Sequence, residues 1–333
     1  MTLRIAQFVR GYNDVVDAAF LKEFPSVEAA KAAGLAEFAD AIEGAEILHV
    51  FNSAFTPEFA KLLRDKGRAL KWIQFTTVGI DIALKAGLPE GVWITNTGDV
   101  SQRVLASHAM ALMLGVMRGF HRYEPHRAAH SWAREEMLPH VTSPDGGTMV
   151  ILGMGRIGQD IARKAKGFGM EVICVTRADA PAAPAIDRVV KREDAAEVLP
   201  LADVVMVAMP LNAGTLGFLS AERIAEMKES AILVNISRGK VVDEAALAAA
   251  LADGRIRGAG LDAFGEEPLG PESPFWDLPN VLMTPHVGGQ GGAELYERLR
   301  ELVRENTRRY LSGEPLRHVV MSPDGKLQGF VDP

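Results

Sequence analysis

The apolar run Met149-Val-Ile-Leu152 leads straight into Gly153-Met-Gly155-Arg-Ile-Gly158, and a helix-forming stretch over 156–167 follows at once. Strand, glycine turn and helix in that order open a doubly wound parallel sheet. The first glycine allows a tight turn, the second lets the backbone approach a pyrophosphate, and the third lets helix and strand pack closely. Amides at the helix start, from Arg156 and Ile157, then face the anion. Gly153, Gly155, Arg156, Ile157 and Gly158 are therefore read as dinucleotide-binding residues.

The same βα rhythm continues downstream. Strands are expected over 171–176, 203–209, 231–236, 257–262 and 281–284, with helices over 194–199, 220–227 and 243–253. An earlier series precedes it. Apolar runs at 3–9, 46–51 and 70–75 read as strands, 26–43 has helical spacing, 87–98 is loop-like, and 101–118 is one long, largely apolar helix that should be buried. The restart at 148 predicts an α/β protein of two doubly wound parallel-sheet domains, a Rossmann cofactor domain inserted within the first. The expected division is 1–98 plus 290–333 for one domain and 99–289 for the other, with the long helices at 101–118 and 293–311 connecting them. A length of 333 residues suits two cores.

Composition removes several function classes. A net charge of −7 and no visible basic patch argue against nucleic acid and anionic membranes as partners. The longest apolar run, 109–117, is too short to span a bilayer, and the first residues lack the pattern of a signal peptide. The single cysteine, Cys174, allows no internal disulfide and no multi-thiolate metal site, and no metal is expected. Cys174 reads as a small core residue, and the expected location is cytoplasmic.

The second strand of a dinucleotide fold commonly ends in a carboxylate for the adenosine ribose. Here it ends in Thr176 and Arg177, a neutral hydroxyl and a guanidinium suited to a phosphate. Three further strand ends carry reactive groups: Arg238 in Asn235-Ile-Ser-Arg238-Gly239, Glu267 beyond Gly260-Leu-Asp262, and His286 in Thr284-Pro-His286. A 2-keto acid needs a guanidinium for its carboxylate and carbonyl and a proton donor poised near neutrality. A carboxylate beside that histidine would raise its pKa and keep it protonated for reduction.

With these residues in hand, the chain resembles the D-isomer-specific 2-hydroxyacid dehydrogenases over nearly its whole length. The segments GMGRIG, ADVVMVAMPL, ILVNISRGKVVDEAALAAAL, GAGLDAFGEEP and NVLMTPHVGG follow one another in the family's order. The resemblance implies a flavodoxin-like substrate domain holding the inserted Rossmann domain, and Arg238, Glu267 and His286 as the catalytic trio. It implies that Asp262 meets the nicotinamide carboxamide and that Met209, Pro210, Ile236, Ser237, Gly288 and Gly289 line the cofactor. Thr77-Val78-Gly79 resembles a loop whose amides hold the substrate carboxylate, which gives Val78, Gly79 and Arg238 as substrate-binding residues. A small 2-keto or 2-hydroxy acid substrate and a homodimer are implied as well, with Trp132 as a packing or dimer residue.

The sequence departs from the family pattern at Asn96-Thr97-Gly98-Asp99, at Ser107 beside His108, and at Thr176-Arg177. His108 is read as a buried, hydrogen-bonded helix residue. Thr176 and Arg177 make NADP(H) the preferred cofactor, with NAD(H) also possible. Two other readings fit the same scaffold: a phosphite-type dehydrogenase, and a dinucleotide-sensing, corepressor-like binding protein. Formate oxidation is disfavoured, because family members acting on formate carry glutamine where Glu267 stands.

Overall fold

The computed structural model describes residues 2–9, 14–177 and 184–327. Contacts between Cα atoms divide the chain into two compact units, residues 1–101 with 291–333 and residues 102–290. The divisions fall after Ser101 and Gln290, where the sequence suggests 98 and 289.

The first unit holds β1 (Leu3–Phe8), β2 (Val27–Ala32), β3 (Ile47–Val50), β4 (Trp72–Phe75) and β5 (Trp93–Thr95). They form a parallel sheet in the order β5-β4-β3-β1-β2, and the final strand Val319–Met321 adds antiparallel to β5. β3 and β4 are buried at every position, as expected of strands covered on both faces. One row of the sheet is polar nonetheless. Gln7, His49, Gln74 and Thr95 share a register across β1, β3, β4 and β5 and are fully buried.

That row is tied to the long C-terminal helix Gly292–Ser312. Asn306 Nδ2 donates to Gln74 Oε1 at 3.0 Å, and Asn306 Oδ1 accepts from the Arg317 amide at 2.8 Å. Thr95 Oγ1 donates to Gln74 Oε1 and accepts from Trp72 Nε1. His49 is fully buried, and burial drives its pKa down to about 3, so the ring is neutral.

The second unit is a seven-stranded, wholly parallel sheet. Its strands are β6 (Thr148–Leu152), β7 (Glu171–Thr176), β8 (Arg188–Lys191), β9 (Val204–Val207), β10 (Ile232–Asn235), β11 (Gly258–Leu261) and β12 (Val281–Met283). Their order, β12-β11-β10-β9-β6-β7-β8, reverses direction of growth between β6 and β9. Ligands of open α/β sheets bind beyond the strand ends at such a point. The helix Gln102–Met117 buries Ala106, Ala109, Met110, Leu112, Met113 and Val116 against this sheet. Cys174 lies in the same core, where burial pushes its thiol up to about 12. Among the described residues no helix is long and apolar enough to cross a membrane, and no group of three or more His, Cys, Asp or Glu side chains could hold a metal ion.

Several local expectations are corrected. The stretch 26–43 is not one helix but β2 followed by the helix Leu35–Ala41. Alanines carry a helical preference, yet Val27 to Ala32 pair residue for residue with β1, and tertiary pairing overrides propensity. The stretch 194–199 is not an α-helix but falls in two 3-10 turns, Arg192–Glu197 and Leu199–Leu201, the second with Pro200 in its first turn. β5 lies where only loop was expected, and the final strand lies in the expected polar tail.

Candidate active site

The glycine turn is built as its spacing demands. Gly153 has φ +117°, and a Cβ there would stand 2.8 Å from the Ala208 carbonyl, so the turn packs directly on the loop after β9. A Cβ on Gly158 would stand 2.1 Å from the Gly153 carbonyl, which closes helix Arg156–Gly167 onto β6. Nothing lies within 4 Å of the Cβ position at Gly155. That open space, at the N-cap of a 12-residue helix, fits a pyrophosphate. Met209, beside the turn, is buried in the core, and Pro210 is exposed.

At the end of β7, Thr176 is half-buried and Arg177 exposed. A second arginine stands near, one that the sequence reading missed. Arg192, at the end of β8, lies close enough to feel the Arg177 charge; burial lowers its pKa, and Arg177 lowers it further. Two guanidiniums placed together favour an anion between them. The register Thr176↔Lys191 between β7 and β8 brings them to the same sheet edge.

Arg238 is aimed by Asn235, the last residue of β10. The Asn235 side chain is 1% exposed. Its Oδ1 accepts from the Ser237 amide and hydroxyl, each at 3.0 Å, and its Nδ2 donates to the Arg238 carbonyl at 3.1 Å. Ile236 is buried and Ser237 half-buried beside it. The next residue, Gly239, has no room for a side chain: a Cβ would lie 2.0 Å from both Gly265 N and Phe264 C. This contact presses the Arg238 turn onto the loop that carries Glu267.

His286 is held by Asp262. The Asp262 carboxylate, 1% exposed, accepts from the Thr284 hydroxyl at 2.7 Å and from the amides of Val287 and Gly288 at 2.9 Å each. Burial alone would raise its pKa, but these bonds and His108 outweigh burial and hold it below the usual range. Since Thr284 spends its hydroxyl proton on Asp262, His108 Nε2 donates to Thr284 Oγ1 at 3.0 Å. His108 is half-buried and hydrogen-bonded in its helix. Pulling two successive amides onto one carboxylate leaves His286 at φ +51°, a left-handed conformation few residues adopt.

In that conformation His286 Nδ1 lies 2.9 and 2.8 Å from the two oxygens of Glu267. Glu267 Oε1 also accepts from the Phe264 amide at 2.9 Å. Burial would raise this carboxyl, but the bonds from His286 and Phe264, with the charges of His286 and Arg238, hold it below its usual range. An ionised carboxylate can only accept, so Nδ1 carries a proton and Nε2 faces outward. Arg238, Glu267 and His286 therefore share one neighbourhood in the second unit. Glu244 was missed: it accepts from the Gly265 amide at 2.8 Å and fixes the base of the Glu267 loop. The sequence signal for it is no more than its place at the start of the helix expected over 243–253.

The loop of Val78 and Gly79 belongs to the first unit. Asn96 Nδ2 donates to the Val78 carbonyl at 2.8 Å, and Thr77 Oγ1 donates to the Gly79 carbonyl at 3.0 Å. Asn52 braces it through its amide to Thr77 Oγ1 and its side chain to Asp81. With both carbonyls engaged, the peptide planes are fixed and the loop can present amides to a carboxylate.

Gly239→Ala should force backbone apart at this junction, lowering stability by about 1–3 kcal/mol. It should also separate Arg238 from Glu267 in a crystal structure of the variant. An unchanged melting temperature together with unchanged positions would refute the packing argument.

Comparison with known proteins gives the family. Residues 110–288 match the model of the D-isomer specific 2-hydroxyacid dehydrogenase NAD binding domain. The chain is 40% identical over 249 residues to a glyoxylate reductase from Pyrococcus furiosus, covering 71% of each chain. It is 38% identical over 263 residues to a glyoxylate reductase from Thermococcus onnurineus, covering 75% and 76%. A crystal structure of a D-isomer specific 2-hydroxyacid dehydrogenase family protein from Aeromonas salmonicida superposes with a TM-score of 0.84 at 28% identity, over 96% of this chain and 99% of that one. The chain belongs to the D-isomer-specific 2-hydroxyacid dehydrogenase family and is an NAD(P)-dependent 2-hydroxyacid dehydrogenase.

Proposed function

We propose that this enzyme reduces a small 2-keto acid such as glyoxylate or hydroxypyruvate, with His286, Glu267 and Arg238 as its working residues and NADP(H) as its preferred cofactor. The observation that carries the reading is the bond of His286 Nδ1 to both Glu267 oxygens, which leaves Nε2 as the proton donor. The residues fit the cofactor: the open face above Gly155 takes the pyrophosphate with the amides of Arg156 and Ile157, and Asp262, Ile236, Ser237, Gly288 and Gly289 border the nicotinamide end. When bound, the nicotinamide supplies the hydride that reaches C2 of the keto acid. Arg238 binds the substrate carboxylate and polarises its carbonyl. His286 Nε2 gives its proton to the carbonyl oxygen, which becomes the hydroxyl of the product. Glu267 holds the ring and stabilises its charge before the proton leaves. The match to two proteins named glyoxylate reductase supports a small keto acid as substrate.

Thr176 and Arg177 support the cofactor preference. A carboxylate at Thr176 would chelate ribose hydroxyls and repel a 2′-phosphate, whereas Arg177 and Arg192 present two guanidiniums to it. For quaternary structure, we propose a homodimer. Trp132 is 90% exposed and Phe120 62%, so packing within its own chain does not account for Trp132, and a second copy does. A single cysteine, with no disulfide to form within the chain, fits the reducing cytoplasm as the site of action.

Cofactor oxidation followed at 340 nm with glyoxylate and hydroxypyruvate tests the chemistry. His286→Ala should lower kcat by about two to four orders of magnitude, and Arg238→Ala should lower kcat and raise KM together. Glu267, ionised through the working range, loses its contribution only as pH falls through its depressed value. Glu267→Gln should therefore reshape the pH profile of kcat/KM, and near-normal turnover in His286→Ala would defeat the assignment.

Charged hydrogen bonds contribute roughly 1.5–3 kcal/mol each, so kcat/KM should favour NADPH about ten- to hundredfold. Arg177→Ala and Arg192→Ala should each raise KM for NADPH with little change for NADH, and Thr176→Asp should favour NADH. A ratio near one in the wild-type enzyme would overturn the preference. Sedimentation equilibrium should give a dimer that Trp132→Glu weakens, and a wild-type monomer at micromolar concentration would contradict the dimer.

A further inference from the structure

The catalytic candidates sit beyond the C-terminal ends of the second unit's strands. At the opposite, N-terminal ends of β11 and β12 lies a small pocket, partly open to solvent. It is lined by His121 and Arg122 from the helix Phe120–Ala128, His140 from the turn Leu138–His140, Arg257 before β11, and Asn280 before β12, with Val116 as its apolar wall. None of the lining residues is acidic, although the chain carries a net charge of −7.

The cationic groups are packed against one another. Burial lowers the His140 ring, and the charges of Arg122 and Arg257 lower it further, opposed by Glu136 alone. Glu136 is shared with His126 at 3.3 Å. Burial and Arg122 likewise lower His121, whose ring lies against the carbonyls of Pro279 and Gly115. Arg257 reaches the Pro139 carbonyl only at 3.4 Å. Asn280 is 9% exposed; its Nδ2 donates to the Leu251 carbonyl at 3.0 Å, and its buried Oδ1 has no partner. A buried acceptor without a donor is costly and calls for one.

We propose that this cavity is a binding site for a phosphate group, either the free ion or the end of a phosphomonoester. Guanidiniums and imidazoles converge on it from three separate segments, which suits a tetrahedral oxyanion better than a planar carboxylate held by one fork. Asn280 Oδ1 supplies the acceptor that inorganic phosphate can satisfy through its P–OH, as can a phosphomonoester in its monoanionic form. Sulfate, which carries no proton near pH 7, cannot. The site is independent of the glycine turn and of the hydride chemistry.

Calorimetric titration of the full-length enzyme, with nicotinamide cofactor at saturation to occupy the glycine turn, tests this. Inorganic phosphate should bind with Kd of about 1 mM or tighter and raise Tm by about 2–4 °C at ten times Kd. Sulfate at equal ionic strength should bind at least about tenfold more weakly. The Arg122→Gln/Arg257→Gln variant should lose at least about tenfold in phosphate affinity while its cofactor affinity, read by fluorescence, stays unchanged. Arg122→Gln alone gives the same comparison if the double variant does not fold. Glycerol phosphate binding as tightly as phosphate assigns an ester, and weaker binding assigns the free ion. No phosphate binding, equal binding in the variants, or equal binding of sulfate overturns the proposal.

Discussion

One buried carboxylate, Asp262, sets the conformation on which the rest of the candidate site depends. A charge taken out of water is tolerated only when its oxygens are fully hydrogen-bonded. Asp262 meets that condition by drawing in Thr284, Val287 and Gly288 at 2.7–2.9 Å, and His108 backs Thr284 from the neighbouring helix. The backbone between those amides has little freedom left. His286 takes the left-handed conformation as a consequence, and that conformation turns Nδ1 toward Glu267. The strained residue and the proposed proton donor are the same residue, and the carboxylate that holds the strain lies outside the proton path.

A second consequence concerns which carboxylate carries charge. Glu244 and Glu267 flank the same loop, and their surroundings push them apart. Burial raises Glu244, and the Glu267 charge raises it further, against the bond from the Gly265 amide and the charge of Lys240. Glu267 has His286, Phe264 N and Arg238 in its favour and is lowered. Of the two, Glu267 is the one that stays ionised, and its partner is the histidine. Separation of two titratable groups by environment in this way is a common basis for acid–base assignment.

Much of this was legible in the chain because local chemistry and tertiary structure agree there. The glycine turn at 153–158, the helices around 102–117 and 156–167, and the strand ends bearing Arg238 and His286 all follow from spacing alone. Elsewhere the decisive contacts are distant in sequence. Val27–Ala32 becomes a strand only because β1 lies beside it, and Arg192 joins Arg177 only because β7 pairs with β8. In sequence, Asn235 only ends a strand and Glu244 only opens a helix. Their roles as braces depend on Ser237 and Gly265, which only the folded loops bring within reach. Trp132 could have been core, and its 90% exposure shows that it is not.

The most direct test of the account is the protonation of the His286 ring itself. Nitrogen-15 NMR of histidine-labelled enzyme, with the His286→Ala variant used to assign the signals, reads which ring nitrogen holds the proton in the neutral form. An ionised Glu267 at 2.8 Å requires the proton on Nδ1, with Nε2 as the exchanging site. Neutral His286 protonated on Nε2, with Nδ1 bare, would contradict the account.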